Sequence, residues 1–300
     1  MNNLTKIKSK RKEAANQVLS LEKIGIVCNI RHEYAEEVAE RLQKLLESKG
    51  FSNISTQKLD GKKDRFTAAT DVGVAFIVGG DGTFLSAARY FSRYGIPLFG
   101  ISTGRLGFLS QLRPKQLEEG IDKLLSGNFI IEERLMLKFE TEDKSESCSA
   151  LNDVVIKGVD VSGTAQLFLY INGKQVCDYL ADGLIIATPT GSTAYTLSAG
   201  GPVVMPELEA FVIVPICPHS LTTRPILVPS YETIEVKVKI DSDYICVTSD
   251  GQESYKIDSK KTIRVVKNDH TARLITLIDN DNAFYSVLRE KLHWGIAPYK

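Results

Sequence analysis

The residues best equipped for chemistry form a five-residue run, Gly79-Gly80-Asp81-Gly82-Thr83, at the end of the apolar stretch 71–78 and the start of a helical pattern over 84–94. This is the strand-to-helix junction where open α/β sheets bind ligands. The glycines at 79, 80 and 82 lack a Cβ, so backbone N–H groups can approach phosphate oxygens, and the N-terminus of the helix that follows adds a favourable field. Asp81 is the odd member. A carboxylate among phosphates is electrostatically unwelcome unless it holds a metal or accepts a proton, which makes Asp81 the candidate base. The alternative is that Asp81 only caps the helix, since Asp followed by Gly-Thr suits a helix start. No G-x-x-x-x-G-K-[ST] loop occurs in the chain, so phosphate chemistry here would fall to the 79–83 loop.

A second constellation runs from Asp182-Gly183-Leu184-Ile185-Ile186-Ala187 into Thr188-Pro189-Thr190-Gly191-Ser192-Thr193-Ala194-Tyr195, then Ser198-Ala199-Gly200-Gly201-Pro202. It reads as a strand entering a hydroxyl-rich turn. Small residues and hydroxyl donors suit the ribose and base edges of a nucleotide, and the Tyr195 ring offers a platform for adenine. An ordinary Thr-Pro-Thr-Gly turn with a core tyrosine fits the same letters. The pair Asn152-Asp153 ahead of Val154-Val155-Ile156 could hold vicinal hydroxyls or an adenine edge, or could be a turn before a strand. His219, in Pro218-His219-Ser220, reads as a structural group that satisfies loop backbone.

The elements that must position these residues change character along the chain. Residues 24–30 and 71–78 are apolar runs of the kind buried on both faces of a parallel sheet, 96–101 is a third, and 33–48 has helical spacing with Gly50 as a stop. Strand and helix alternate, as in a doubly wound, Rossmann-like α/β layer. Beyond Arg134 the texture becomes short alternating runs such as 135–140, 167–171 and 233–238, with Asn172-Gly173 as a two-residue hairpin signal. The division expected is an N-terminal extension 1–20, an α/β domain 21–134, an all-β domain 135–281, and a helix and tail 282–300 that returns to the first domain.

Composition narrows the partners. Lys+Arg and Asp+Glu both number 37, so the net charge is zero and the basic footprint of a nucleic-acid binder is missing. Five scattered cysteines without a C-x-x-C pair suit a reducing cytoplasm better than a disulfide framework or a zinc site. No apolar stretch of signal-peptide or membrane-span length follows the start, and the basic residues Lys6 to Lys12 fit an amphipathic targeting segment less well than a frayed, solvated helix, given Glu13 and the lack of a Ser/Arg-rich continuation.

Taken together, the 79–83 loop, Asn152-Asp153, the 182–202 signature, the 218–225 segment and Ser249-Asp250-Gly251-Gln252 resemble the NAD kinases in order and approximate spacing, from about Ile24 to near Lys300. Diacylglycerol, sphingosine and phosphofructokinase-like enzymes share a Gly-Gly-Asp-Gly loop, so the 182–195 stretch carries the resemblance. The resemblance implies a Rossmann-like α/β domain followed by a β-sandwich-like domain with NAD bound between them. It also implies ATP as donor, a requirement for Mg²⁺ or a similar cation, no assigned direct protein ligand for that cation, and a homo-oligomer, dimer or tetramer. Under it, Asp81 accepts the proton of the 2′-hydroxyl of the adenosine ribose, with Gly82 beside it. Asn152 and Asp153 contact the nucleoside. Thr193, Ala194, Tyr195, Thr196, Leu197 and Ser198 line the adenine and ribose, and Asp182 and Gln252 complete the pocket. Two departures stand out: most members carry Asn-Glu where this chain has Asn152-Asp153, and some bacterial members carry a basic residue at the position of Leu180. The rival readings are a lipid or sugar kinase of the wider class, and a dinucleotide sensor without catalysis.

Overall fold

The computed structural model describes residues 19–60, 66–104, 107–159, 164–278 and 283–293, so all but the last two residues of the expected 1–20 extension lie outside the described residues. The chain forms two compact units, 1–133 with 273–300, and 134–272.

In the first unit, β1 (Ile24–Asn29) leads to α1 (Ala35–Ser48), which buries Val38, Leu42 and Leu46 on one face. Glu36 and Glu37 in its first turn complement the positive end of the helix, and Gly50 follows its end at φ 94°. Next comes β2 (Ile54–Leu59), a strand that the sequence pattern hides because Ser55, Gln57 and Lys58 interrupt the apolar run. It is a sheet edge, where one flank faces no neighbouring strand. Every residue of β3 (Val74–Gly79) is buried, as expected of a central parallel strand. α2 (Asp81–Phe91), β4 (Leu98–Ser102), α3 (Leu117–Leu125) and β5 (Phe129–Arg134) follow.

Among its described residues the second unit is β apart from a 3-10 turn at Thr190–Thr193 and one short helix. Its elements are β6 (Leu137–Thr141), β7 (Ser147–Ala150), β8 (Asp153–Gly158), β9 (Ala165–Ile171), β10 (Lys174–Ala181), β11 (Gly183–Ala187), α4 (Tyr195–Ser198) and β12 (Ala210–Ile216). β13 (Ile226–Pro229), β14 (Ile234–Lys239), β15 (Tyr244–Ser249), β16 (Glu253–Asp258) and β17 (Ile263–Lys267) complete it. Two six-stranded sheets form, in the orders β10-β9-β14-β17-β6-β7 and β13-β12-β11-β8-β15-β16. Leu137, Phe139, Leu167, Leu169, Ile234 and Val236 of one sheet share a single core with Val154, Ile156, Leu184, Ile186, Phe211 and Ile213 of the other, a sandwich. The Asn172-Gly173 turn joins β9 to β10 with both residues at positive φ, 50° and 74°, as a type I′ hairpin requires.

The chain then rejoins the first unit through β18 (Ala272–Leu277) and α5 (Ala283–Leu292). β18 pairs in parallel with β4, giving the sheet order β2-β1-β3-β4-β18-β5. The all-β stretch therefore ends at 272 rather than 281. Leu274, Ile275 and Leu277 are buried without alternation, which is the mark of a parallel, doubly covered strand.

Candidate active site

In the first unit the site grows from the end of β3. Gly80 is the N-cap of α2 and Asp81 its first helical residue, with no side-chain capping bond. The capping alternative for Asp81 therefore falls. Its carboxylate is bound from another direction: Oδ2 accepts the Phe108 backbone N–H at 3.3 Å and stands 3.7 Å from Lys291 Nζ on α5. Oδ1 is buried and has no hydrogen-bond partner among the described residues. Asn29 at the end of β1 donates to Thr83 Oγ1 at 3.1 Å, which ties the loop to the neighbouring strand.

The loop after β4 closes on Asp81, so that a side chain at Gly107 would displace the carboxylate. A Cβ on Gly107 would lie 1.7 Å from Asp81 Oδ1. Gly107 and Phe108 were not among the residues singled out above. The available signal was their place in Thr103-Gly104-Arg105-Leu106-Gly107-Phe108, a glycine-containing loop leaving the carboxyl end of the next parallel strand.

In the second unit three separate motifs converge because β11, β8 and β15 are neighbours. Asp250 lies in the turn between β15 and β16, at φ 51°. Its carboxylate accepts the backbone N–H groups of Leu151 (3.1 Å), Asn152 (2.7 Å) and Asp153 (3.3 Å). Its own N–H returns a bond to Asp153 O at 2.9 Å. On the other side Thr188 N donates to Asn152 O at 2.8 Å, and Thr188 Oγ1 donates to Leu151 O. Gly191 packs on the same turn so closely that a Cβ there would lie 2.1 Å from Asn152 O. Asn152 and Asp153 are thus the start of β8, clamped from both flanks.

Asp153 itself is 4% exposed. Burial, with the nearby Asp250 charge as a lesser cause, pushes its carboxyl up to about 7.

Tyr195 opens α4 and is 40% exposed, which removes the core-tyrosine alternative. Lys157 Nζ on β8 donates to the Tyr195 hydroxyl at 3.0 Å and lies 4.9 Å from the ring centroid. Around it, Thr193, Ala194 and Leu197 are half-buried, Ser198 is exposed, and Thr196 is buried. Thr196 Oγ1 has no hydrogen-bond partner among the described residues. Asp182, half-buried, precedes β11 and its N–H donates to Ile216 O. Gln252 is exposed in the β15–β16 turn, two residues from Asp250. Leu180 is exposed on the edge strand β10, and its carbonyl accepts the His219 N–H at 2.9 Å.

Comparison with known proteins matches both halves of this arrangement. The ATP-NAD kinase N-terminal domain family matches residues 24–129 and the ATP-NAD kinase C-terminal domain family residues 151–277. The NAD kinase of Moorella thermoacetica is 41% identical over 283 residues, covering 92% of this chain and 90% of that protein. The NAD kinase of Pseudomonas entomophila is 43% identical over 226 residues, 74% of this chain and 76% of its own length. Among solved structures, an NAD kinase from Archaeoglobus fulgidus in complex with ATP superposes with a TM-score of 0.71 at 26% identity, covering 88% of this chain and 98% of that one. Yeast NADH kinase complexed with NADH shares the fold, with a TM-score of 0.75 at 23% identity over 92% of this chain and 89% of that one. With both family domains matched in order, and the glycine loop and the hydroxyl-rich turn lying inside them, the chain belongs to the ATP-NAD kinase family.

Proposed function

We propose that the protein transfers the γ-phosphoryl group of ATP to the 2′-hydroxyl of the adenosine ribose of NAD, forming NADP and ADP. The ribose oxygen attacks the γ-phosphorus in line, the bond from that phosphorus to the β,γ-bridging oxygen breaks, and the hydroxyl proton passes to Asp81. The observation that carries this reading is the non-capping carboxylate at the end of β3, in a chain of this family. A free carboxylate is a weak base at neutral pH, so the larger contribution of Asp81 is to orient the hydroxyl before attack.

In the second unit, Asn152 and Asp153 contact the nucleoside, Thr193 to Ser198 line the adenine and ribose, Tyr195 stacks on the base, and Asp182 and Gln252 complete the binding surface. The clamped turn at 151–153 supports this, because a rigid pair of polar groups orients hydroxyls at little entropic cost.

A divalent cation such as Mg²⁺ fits this donor set. Such an ion is held mainly by substrate phosphates and water with one or two carboxylates, and the buried Asp81 Oδ1, without a hydrogen-bond partner among the described residues, marks the carboxylate that would hold it. When bound, it neutralises charge on the transferred group. The reading also includes a homo-oligomer, dimer or tetramer, and a cytoplasmic location. No helix of the described residues is long and apolar enough to cross a membrane.

The test is formation of NADP from NAD, ATP and Mg²⁺ by purified protein, abolished by EDTA. Folded protein that makes no NADP with any donor or metal would overturn the kinase reading.

A further inference from the structure

The partners of Asp81 Oδ2 depend on the last helix. Lys291 Nζ on α5 stands 3.7 Å from that oxygen and 5.1 Å from the centroid of the Phe108 ring. Phe108 supplies the other partner through its backbone N–H, and its ring lies 6.1 Å from that of Phe284, also on α5. Glu290 pairs with Arg113, which holds the same helix to the segment that follows the Phe108 loop. α5 therefore reaches Asp81 twice, once by charge and once by bracing the loop that binds it.

The ion pair is a poor stabiliser. Both side chains are about a third exposed, 31% and 34%, and pairs of that kind contribute little to stability. Its effect lies on Asp81. Oδ1 is buried beside Gly107 with no hydrogen-bond partner among the described residues, so the groups that direct this carboxylate are the Phe108 N–H and the Lys291 ammonium on Oδ2. At 3.7 Å the contact is an ion pair without a hydrogen bond, so Oδ2 keeps a lone pair for a hydroxyl donor.

We propose that Lys291 is a positioning residue for the phosphoryl-transfer reaction: from α5 its ammonium, beside Oδ2, holds the Asp81 carboxylate in place to receive the substrate hydroxyl. This rests on the assignment of Asp81 as the base, and the test separates the two. Lys291→Met and Lys291→Arg are compared in the full chain, each in the wild-type and the Asp81→Asn background.

Lys291→Met lowers kcat about tenfold or more, a fraction of the roughly 10²–10⁴-fold worth of a positioned base, while KM for NAD and for ATP and the Tm hold. Lys291→Arg restores most of the loss. In the Asp81→Asn background Lys291→Met adds about twofold at most, because a residue acting through Asp81 has nothing left to position. Unchanged kcat in Lys291→Met, an equal loss in both backgrounds, or a change confined to KM for ATP would overturn the proposal. Independently of turnover, Lys291→Met shifts the NMR resonance of the Asp81 carboxyl carbon, and an unmoved resonance overturns the proposal even if no kinase activity is found.

Discussion

Two side chains carry the proposed chemistry most directly, Asp81 and Tyr195, and each can be tested apart from a purely structural role. Asp81 contributes no capping bond to α2, so Asp81→Asn leaves the helix start intact and removes only charge and proton affinity. The expected outcome is a fall in kcat of roughly 10²–10⁴, the usual worth of a positioned base, with Tm and NAD affinity little changed. Steady-state kinetics beside a thermal melt checks it, and near-normal turnover would mean that the proton leaves by another route. Tyr195 is exposed and outside the sandwich core, so Tyr195→Ala should leave Tm nearly unchanged. It weakens NAD binding by about 1–3 kcal/mol if the ring stacks on adenine. A dissociation constant equal to wild type, by calorimetry on the folded protein, would refute that stacking role.

At the scale of elements, the second site depends on strand order. β8 lies between β11 and β15, so the turn before β8 meets the loop after β11 on one side and the β15–β16 turn on the other. Gly191 is the tightest point of that junction. Gly191→Ala drives a Cβ into the Asn152 carbonyl, a backbone atom that cannot rotate away. The expected cost is about 1–3 kcal/mol of stability, as for overpacked cores. NAD affinity falls with it because Asn152 moves. Denaturant unfolding and NAD titration check the pair of effects, and wild-type values in both would show the junction to be slack. The sequence pattern revealed β1, α1, β3 and β4 through their burial and spacing. It missed β2, whose polar residues belong to a sheet edge, and it assigned β18 to the wrong unit. Hydropathy reports burial but not which sheet a strand joins.

Over the whole molecule, stability carries a pH signature set by Asp153. Its carboxyl, pushed up to about 7 in the folded protein, ionises near pH 4 in the unfolded chain. Between those values the folded state binds more protons. The contribution is fully present below about pH 4 and is lost as pH rises through about 7. Asn resembles the neutral acid and does not titrate. Asp153→Asn should therefore match wild type near pH 4 and exceed it in Tm by a margin that is greatest above pH 7. A difference that stays flat across thermal melts from pH 4 to 8 would refute the assignment. Read alone, the amino-acid sequence determined the architecture, an α/β unit followed by a β sandwich, because burial periodicity is a local property. It also singled out the loop 79–83, the turn 188–195 and the pair 152–153 as candidates, because phosphate approach and nucleotide recognition favour particular residue types at short spacing. Only the tertiary structure decided what touches them. Gly107 and Phe108 reach Asp81 because β4 lies beside β3, and Lys291 reaches it from 210 positions along the chain. Asp250 holds the 151–153 turn because β15 lies beside β8. Such contacts are set by strand order and helix docking, in which residues distant in sequence become neighbours without leaving any local pattern to read.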